Sequence, residues 1–197
     1  MAVCLKKGQK LSLTKEVEGL SKIMVGLGWD QVKKGGLRGL FGVDKADIDC
    51  DASVFLLRGD KLHSTDDIVY YGNLKHSSGA VKHAGDNLTG EGDGDDEEIF
   101  IDLKKIPDDV NRIVISVTIY NAFDRGQHFG MIENAFCRVV NMDGNKELCT
   151  YKLDEKYDGM TAVVCGELVK DGSDWEFSAD SKATRIASLG KLADTYR

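Results

Sequence analysis

The sequence is poor in features that mark several other classes of protein. It has one proline, no Cys-x-x-Cys pair, and no apolar run near the roughly 18 to 20 residues that cross a bilayer. An odd set of five cysteines without that spacing suits neither a disulfide framework nor a thiolate zinc site, so we expect reduced core residues. They are Cys4, Cys50, Cys137, Cys149 and Cys165. Residues 1–16 also lack the apolar core of a signal peptide, and we predict a cytoplasmic protein that does not insert into a membrane.

Positive charge is also in short supply. Lysine and arginine together number 26 against 33 aspartates and glutamates, which leaves a formal charge of -7. This balance disfavours nucleic acid or an anionic membrane surface as the main partner and favours a cationic one. The length of 197 residues suits one domain of ordinary size, and no internal repeat or linker interrupts it, so we predict a single domain over residues 1–197.

Helical spacing is rare before the C-terminus, whereas short apolar runs rich in β-branched residues recur along the chain. They cover 21–29, 48–57, 68–71, 97–103, 112–120, 134–141, 147–153, 161–169 and 174–179. Runs at this spacing, separated by Gly, Asn and Asp turns, are typical of an all-β, antiparallel β-sandwich of two sheets. Residues 142–145 and 170–173 have the composition of hairpin turns.

The two remaining local patterns predict helix. Residues 181–196 place a stripe of apolar side chains on one helical face, which predicts a C-terminal helix packed against the sandwich. The stripe consists of Ile186, Leu189, Leu192, Ala193 and Tyr196. Around the single proline, residues 107–109 suit one turn of helix between strands.

The segment from 72 to 96 does not follow the strand rhythm, and irregular loops longer than about 12 to 15 residues are usually functional or disordered. Its second half is rich in acid and glycine, and the sequence from His83 to Leu103 supplies no Lys or Arg to neutralise it. Like charges about 4 Å apart repel by roughly 4 kcal/mol at an effective dielectric near 20. We therefore expect a loop that is either splayed in solvent or filled with a cation.

The glycines at 85, 90, 92 and 94 favour the second alternative, because they let the backbone turn its carbonyl oxygens inward. Carboxylates, an amide and carbonyls are the oxygen ligands that calcium accepts, six to eight at about 2.3–2.6 Å. Magnesium keeps its water and prefers fewer protein ligands, and zinc and copper prefer His or Cys. The loop composition therefore predicts calcium.

A second acidic element, Asp47-Ile48-Asp49-Cys50-Asp51, alternates acid with apolar residues. In a strand this places the carboxylates on one face and directs Ile48 and Cys50 into the core. Residues i and i+2 lie about 6.6 Å apart, whereas oxygens across one calcium lie only about 5 Å apart. We predict two ions, or one ion and a spectator aspartate. The segment is not an EF-hand, since Ala52 and Arg58 stand where that loop needs Gly and Glu.

The same residues resemble the TerD family of tellurite-resistance and stress proteins nearly from end to end. The resemblance is carried by Leu5-x-Lys7-Gly8, Val25-Gly26-Leu27-Gly28-Trp29-Asp30, residues 47–53, His83-x-Gly85-Asp86-Asn87-x-Thr89-Gly90-x-Gly92-x-Gly94-Asp95-Asp96-Glu97, Gly126-Gln127-x-Phe129-Gly130 and Asn134-Ala135-Phe136. The long loop signature is the specific one. The family resemblance implies a calcium-binding β-sandwich that serves resistance to tellurite and other chemical stress.

The resemblance also implies a set of calcium ligands and a mode of action. The candidates are Asp30, Asp47, Asp49, Asp51, Asn73, Asp86, Asn87, Gly90, Glu91, Gly92, Asp93, Asp95, Asp96 and Glu97, with the glycines acting through backbone oxygens. We expect a non-enzymatic module that binds calcium and presents a surface to other stress-response proteins. Whether calcium acts as a signal or as a structural element remains open at this stage.

The chain departs from the family pattern at two places. Residues 33–45 resemble an insertion, which bears on the geometry between Asp30 and Asp49, and its Leu37, Leu40 and Phe41 form either a partner patch or a local core. Residues 120–121, Tyr-Asn, stand where an acidic residue is common in the family.

The alternative function is a metal-dependent hydrolase, such as a phosphoesterase. In that hypothesis the ion activates water, and His83 or His128 acts as general acid or base. A carboxylate-saturated ion leaves little room for a substrate, and no glycine-flanked nucleophile is evident, so we favour the binding module.

Overall fold

The computed structural model describes residues 2–31, 48–85, 94–153, 155 and 157–197. Its described strands form two sheets that enclose the main apolar core. The strands are β1 (Val3–Leu5), β2 (Gln9–Ser12), β3 (Lys22–Gln31), β4 (Cys50–Leu57), β5 (Ile68–Val69), β6 (Val81–His83), β7 (Glu97–Asp102), β8 (Arg112–Ile119), β9 (Ile132–Asn141), β10 (Lys146–Lys152), β11 (Ala162–Asp171), β12 (Asp174–Ala179) and β13 (Lys182–Thr184). The helices are α1 (Leu13–Glu16), α2 (Ala122–Arg125) and α3 (Leu189–Asp194).

The first sheet, sheet A, carries the hairpin that brackets the acidic loop. Its strand order is β1-β10-β9-β3-β7-β6. All of its pairings are antiparallel except that of β1 with β10, which is parallel. The second sheet, sheet B, has the order β2-β12-β11-β8-β4-β5, with β13 added beside β11. The predicted all-β sandwich of largely antiparallel strands is therefore confirmed.

Strand β4 shows how the period of two divides the interior. Cys50, Ala52, Val54 and Leu56 lie in the core between the sheets, whereas alternate side chains face the other side of sheet B. Phe55, on that other side, packs in a second apolar cluster beneath α3. Ile48 is 6% exposed and belongs to the main core, as does Cys50, which confirms the predicted inward direction of both.

The C-terminal helix is shorter than the sequence pattern indicates. It covers Leu189–Asp194, whereas the beginning of the predicted 181–196 helix is strand β13. The apolar stripe still packs as expected, since its members all join the second cluster. In the described parts of the chain, no helix has the length and apolar character needed to cross a membrane.

Three local turn predictions have different outcomes. Residues 142–145 connect β9 to β10, with Asn145 at a left-handed φ of 47°. Residues 170–173 close the β11–β12 hairpin, with Gly172 at φ 62°. The predicted helical turn at Pro107 is wrong: the segment forms a turn closed by the Val110 N–H on the Pro107 carbonyl, at 2.9 Å.

The cysteines follow the prediction with one exception. Cys50, Cys137, Cys149 and Cys165 are buried, but Cys4 is exposed, because it stands on the edge strand β1. Burial raises the pKa of the Cys50 and Cys137 thiols well above the ordinary range and raises those of Cys149 and Cys165 to about 12. These four thiols are therefore held as unreactive core groups.

Candidate metal site at the β6–β7 loop

The acidic loop is the connection of a β-hairpin. Strands β6 and β7 pair antiparallel with His83 opposite Ile99, and the Ala84 N–H donates to the Glu98 carbonyl at 2.9 Å. The two ends of the loop are thus fixed in sheet A by backbone hydrogen bonds. The hairpin therefore fixes where the acidic loop leaves and re-enters the sheet.

The predicted ligands divide into two groups. Asp47, Asp86, Asn87, Gly90, Glu91, Gly92 and Asp93 lie outside the described residues, as does the 33–45 insertion, and they stay predictions. The structure places Asp30, Asp49, Asp51, Asn73, Asp95, Asp96 and Glu97. Their environments differ sharply from one residue to the next.

Asp95 is held by an arginine from a distant strand. Arg138 of β9 donates from Nε to Asp95 Oδ1 at 2.8 Å and from its terminal nitrogen to Oδ2 at 2.9 Å. The Asp95 side chain is only 2% exposed, and Arg138 also contacts Glu147 at 3.2 Å. Asp95 therefore already has a cation, which the local sequence of the loop does not supply.

The glycines of β3 make room for this arrangement. Val25 and Leu27 point into the core, so Gly26 and Gly28 face outward beneath the end of the loop. A Cβ on Gly26 would lie 2.2 Å from Asp95 Oδ2, and one on Gly28 would lie 2.8 Å from the Gly94 carbonyl oxygen. Because Gly26 and Gly28 have no side chains, residues 94–95 pack directly against β3, and we call this contact surface the seat of the loop.

Asp96 lies in a different setting. Its backbone N–H donates to the Leu27 carbonyl at 2.8 Å, and its Oδ2 accepts from the Trp29 backbone N–H at 2.7 Å. Burial raises the pKa of the Asp96 carboxyl, the negative charges of Asp30 and Asp95 raise it further, and the Trp29 hydrogen bond opposes them. Burial is thus the main factor that disfavours the charged form of Asp96, and the neighbouring carboxylates add to it.

Glu97 faces the interior. Its Oε2 lies 3.1 Å from His83 Nε2, and both side chains are 1% exposed. The Gly85 N–H donates to His83 Nδ1 at 3.1 Å, which leaves the hydrogen of the neutral ring on Nε2, facing Glu97 and the Ala52 carbonyl. Glu97 and His83 thus join the two ends of the loop beneath the sheet.

Asp49 and Asp51 flank Cys50, the first residue of β4. Asp49 precedes β4, is half-buried, and accepts at its carbonyl from the Tyr120 N–H at 2.8 Å. Burial is the main cause of the raised pKa of the Cys50 thiol, and the charges of Asp51, Asp49 and Asp96 add to it. By strand alternation, Asp49 and Asp51 both lie on the side of β4 opposite to Cys50, on the outside of sheet B.

Two further candidates lie near the loop. Asp30 Oδ2 accepts from Asn134 Nδ2 at 2.7 Å on the exposed end of β3. Asn73 donates from Nδ2 to the Ile68 carbonyl at 2.7 Å, and its neighbour Leu74 accepts from the His83 N–H at 2.9 Å. Asn73 therefore lies next to a residue that contacts His83, but its amide is bonded within its own turn, and its role as a ligand stays a prediction.

Asp30 and Asp96 offer carboxylate oxygens, the ligand type that calcium prefers. Among the residues that the structure describes, no three His, Cys, Asp or Glu side chains are grouped closely enough to hold a metal ion. A calcium site here depends on the loop residues between 86 and 93.

Sequence reasoning did not identify Arg138 or the role of the Trp29 N–H. Arg138 is 43 residues from Asp95 along the chain, and only the pairing of β3 with both β7 and β9 brings it near. The available signal was the alternation of glycine with core residues at 25–29, which indicates that another group approaches the strand closely.

Fold and site together define a β-sandwich with an acidic hairpin loop over a glycine-containing strand. A sequence model of the TerD domain matches residues 1–196, and the chain belongs to the TerD family. It is 46% identical over 198 residues to stress response protein SCP2 of Bacillus subtilis (strain 168), with 100% of both chains covered. It is 42% identical over 180 residues to the tellurium resistance protein TerD of an Alcaligenes species, covering 91% of this chain and 89% of that one.

Another relative and one solved structure extend the comparison. Tellurium resistance protein TerZ of Serratia marcescens is 46% identical over 191 residues, covering 96% of this chain and 94% of the relative. The crystal structure of a homologue of telluride resistance protein (TerD) from Streptomyces coelicolor A3(2) aligns with a TM-score of 0.67 at 20% identity, covering 91% of this chain and 99% of that one. This structural likeness supports the fold alone.

Proposed function

We propose that this protein is a calcium-binding module of the chemical-stress response that contributes to tellurite resistance and acts through other stress-response proteins. The observation that carries the proposal is Asp96, whose carboxylate is half-buried, accepts from the Trp29 N–H at 2.7 Å and forms no ion pair with a basic side chain among the described residues. A divalent cation would stabilise the ionised form of Asp96, because attraction to the metal offsets the loss of solvation that raises its pKa. The relatives named for stress response and tellurium resistance support the biological assignment.

The proposed ligands are the carboxylates of Asp30 and Asp96 with oxygens from residues 86–93. Asp95 and Glu97 serve in this proposal as supports rather than ligands, because Arg138 and His83 already hold them. Two ions, or one ion and a spectator aspartate, remain our expectation, because carboxylates two residues apart on a strand lie farther apart than oxygens across one calcium. The role of the ions is to order the loop and to form the surface that partners contact.

Thermal unfolding tests the proposal directly. Calcium at about 100 times its dissociation constant should stabilise the folded protein by about 2.7 kcal/mol, because it binds only the folded chain. The melting temperature should therefore rise with calcium, fall on chelation, and respond much less to magnesium. An unchanged melting temperature in submillimolar calcium would contradict the proposal.

A matched pair of variants locates the effect. Asp96→Asn keeps an oxygen that accepts from the Trp29 N–H but removes the charge, so the calcium-induced shift should fall strongly. Asp108→Asn makes the same chemical change at an exposed position in the turn after β7 and should leave the shift intact. Survival of a tellurite-sensitive bacterial host that expresses each variant should follow the same order.

The hydrolase hypothesis gains no specific support from the described geometry. The ring of His83 is buried and bonded at both nitrogens, whereas His128 lies 3.3 Å from Asp158, which is 85% exposed. The relatives carry names of resistance and stress proteins rather than enzymes. Turnover of a phosphoester panel that disappears in Asp96→Asn would reverse this preference.

A further inference from the structure

Two arginines differ from the other described arginines in what they contact. Four arginines form ion pairs with acids, as expected in a chain in which acids outnumber bases. They are Arg58, Arg112, Arg138 and Arg197, and their partners are Asp67, Glu167, Asp95 and Asp194. Arg125 and Arg185 form no ion pair with an acid in the ranges that the structure describes, and each lies over an aromatic ring instead.

Both of these rings belong to one short segment of the chain. The guanidinium carbon of Arg125 lies 5.4 Å from the centroid of the Tyr120 ring, and that of Arg185 lies 5.4 Å from the centroid of the Phe123 ring. Tyr120 is 41% exposed and Phe123 is 46% exposed. We call these four residues the arginine–aromatic patch. Aromatic residues and arginine are the types that protein–protein interfaces enrich.

The backbone on the α2 side of the patch is held in one conformation. Ala122, the residue before Phe123, is 1% exposed and lies in the main core. The Arg125 N–H donates to the Asn121 carbonyl at 3.0 Å, and Gly126 ends the helix at a left-handed φ of 60°. The buried Ala122 thus anchors a turn that presents Phe123 to solvent.

The chain around Arg185 is fixed by a threonine just before β11. Thr161 donates from its N–H to the Thr184 carbonyl at 3.0 Å and from its hydroxyl to the Ile186 carbonyl at 2.6 Å. The Ile186 N–H donates back to that hydroxyl at 2.9 Å. Because both neighbours of Arg185 are bonded to Thr161, little backbone freedom is lost when a partner binds there.

The two guanidinium groups keep their hydrogen-bond donors. Among the described residues, no hydrogen bond uses the guanidinium of Arg125 or Arg185, whereas the rings hold both groups near the surface. A carboxylate matches the planar donors of arginine with two parallel hydrogen bonds. The exposed Asp124 of α2 lowers the positive charge of the patch without cancelling it, and it pairs with neither arginine.

We propose that the arginine–aromatic patch binds an acidic peptide segment of a partner protein. The Cα atoms of Tyr120 and Phe123 lie at most about 11 Å apart, since three residues separate them. An extended segment with carboxylates two to four residues apart spans that distance. Nucleic acid is another polyanion that arginine and aromatic residues bind, but the formal charge of -7 disfavours it. The inference rests on the part of the proposed function that concerns protein partners, and it uses no residue of the candidate metal site.

Fluorescence anisotropy of a labelled decapeptide that alternates glutamate with serine tests the proposal on the full chain at low ionic strength. The control peptide has glutamine in place of every glutamate. The acidic peptide should bind saturably and at least about tenfold more tightly than the neutral one, as expected for the loss of charged hydrogen bonds. The titration is run in calcium-free buffer, so that a failure of the calcium proposal leaves its result unchanged. Equal binding of the two peptides, no binding of the acidic peptide, or tighter binding of an oligothymidylate of the same length would overturn the proposal.

Variants locate the binding at the patch. Arg185→Gln should weaken binding of the acidic peptide about tenfold, whereas Arg197→Gln removes the same charge outside the patch and should bind as the parent does. Arg185→Lys keeps the charge but loses the planar donors, so it should bind several-fold more weakly than the parent. Phe123→Ala removes the ring beneath Arg185 and should also weaken binding several-fold, whereas Phe123→Tyr keeps the ring and should bind normally.

Arg185 and Phe123 are both exposed, so thermal unfolding of these variants should match that of the parent. Parent-like peptide binding in both Arg185→Gln and Phe123→Ala would contradict the assignment. An equal loss of binding in Arg197→Gln would contradict it as well, because that result would show a general effect of charge.

Discussion

Two acidic residues at sheet B, Glu167 and Asp67, are paired with arginines. Two acidic residues beside the β6–β7 loop, Asp30 and Asp96, form no ion pair with a basic side chain among the described residues. Arg112 donates to Glu167 at 2.8 and 2.6 Å, and Arg58 donates to Asp67 at 2.8 Å. These planar, charge-assisted pairs fix the strand ends of sheet B, and no added ion is needed to explain them. Glu167 and Asp67 are thus structural acids whose charges are neutralised by arginine side chains.

At the loop end of sheet A, one acid is paired with an arginine and two acids are not. Asp95 has Arg138, but within the described ranges neither Asp30 nor Asp96 forms an ion pair with a basic side chain. Backbone and amide N–H groups of Trp29 and Asn134 hold them in place without neutralising them. In the calcium proposal, a divalent cation at this position takes the role that the arginines have at sheet B.

Removal of Arg138 should produce the largest effect on stability. Arg138→Met leaves the buried Asp95 carboxylate without its cation, and we expect a loss of about 2 kcal/mol, reduced from the value for a fully buried pair because Arg138 is 32% exposed. Urea unfolding in calcium-free buffer measures it. Lys10→Met, which breaks an exposed pair with Glu176, is the control and should change stability by less than about 0.5 kcal/mol.

The calcium dependence of Arg138→Met sharpens the comparison. If Asp95 is a structural acid like Glu167, calcium should not restore the lost stability beyond the gain seen in the parent protein. If calcium restored the stability completely, Asp95 would be a metal ligand. That result would contradict the distinction between structural acids and metal-binding acids at this residue.

A methyl group on Gly26 should have the next largest effect. The new Cβ of Gly26→Ala would overlap the Asp95 carboxylate, and we expect a loss of about 1–2 kcal/mol as the end of the loop is displaced from its seat. The control is Gly144→Ala, where no atom lies within 4 Å of the added Cβ. Thermal unfolding of both variants with and without calcium should show a weakened calcium response for Gly26→Ala alone.

The pH dependence of stability at Asp96 should show the smallest effect. Because the Asp96 pKa is raised in the folded chain, folding favours the protonated form, and the residue destabilises the protein most at pH values above that raised pKa. In calcium-free buffer, Asp96→Asn should therefore be more stable than the parent at pH 7, and the advantage should shrink as the pH falls towards the ordinary carboxyl range. An advantage that grows on acidification would contradict the raised pKa.

The long strands were predictable because their apolar residues alternate with a clear period of two, as in residues 112–120. Strands β1, β2 and β6 were missed since they are three or four residues long and partly polar, and pairing with neighbours defines them. The helix was predicted too long because the apolar stripe continues over Ile186, which precedes α3 and packs without being helical. Tertiary contacts set these boundaries.

The residue types of the candidate site could be predicted from the sequence, but the contacts among its side chains could not. The acidic, glycine-rich pattern indicated the β6–β7 loop, and the described residues Asp30, Asn73 and Asp96 lie near its ends, whereas calcium binding there stays a prediction. Sequence alone could not show that Arg138 neutralises Asp95 or that Glu97 turns inward to His83, because both contacts arise from the order of strands in the sheet. For Asp51 the alternation was predicted, but the face it reaches depends on which sheet contains the strand.

Isothermal titration of calcium into the protein tests the central claim most directly. The account predicts saturable binding of two calcium ions per chain, with magnesium a much weaker competitor, and the loss of at least one ion in Asp96→Asn but not in Asp108→Asn. Absence of calcium binding up to millimolar concentration, or full stoichiometry in Asp96→Asn, would contradict it.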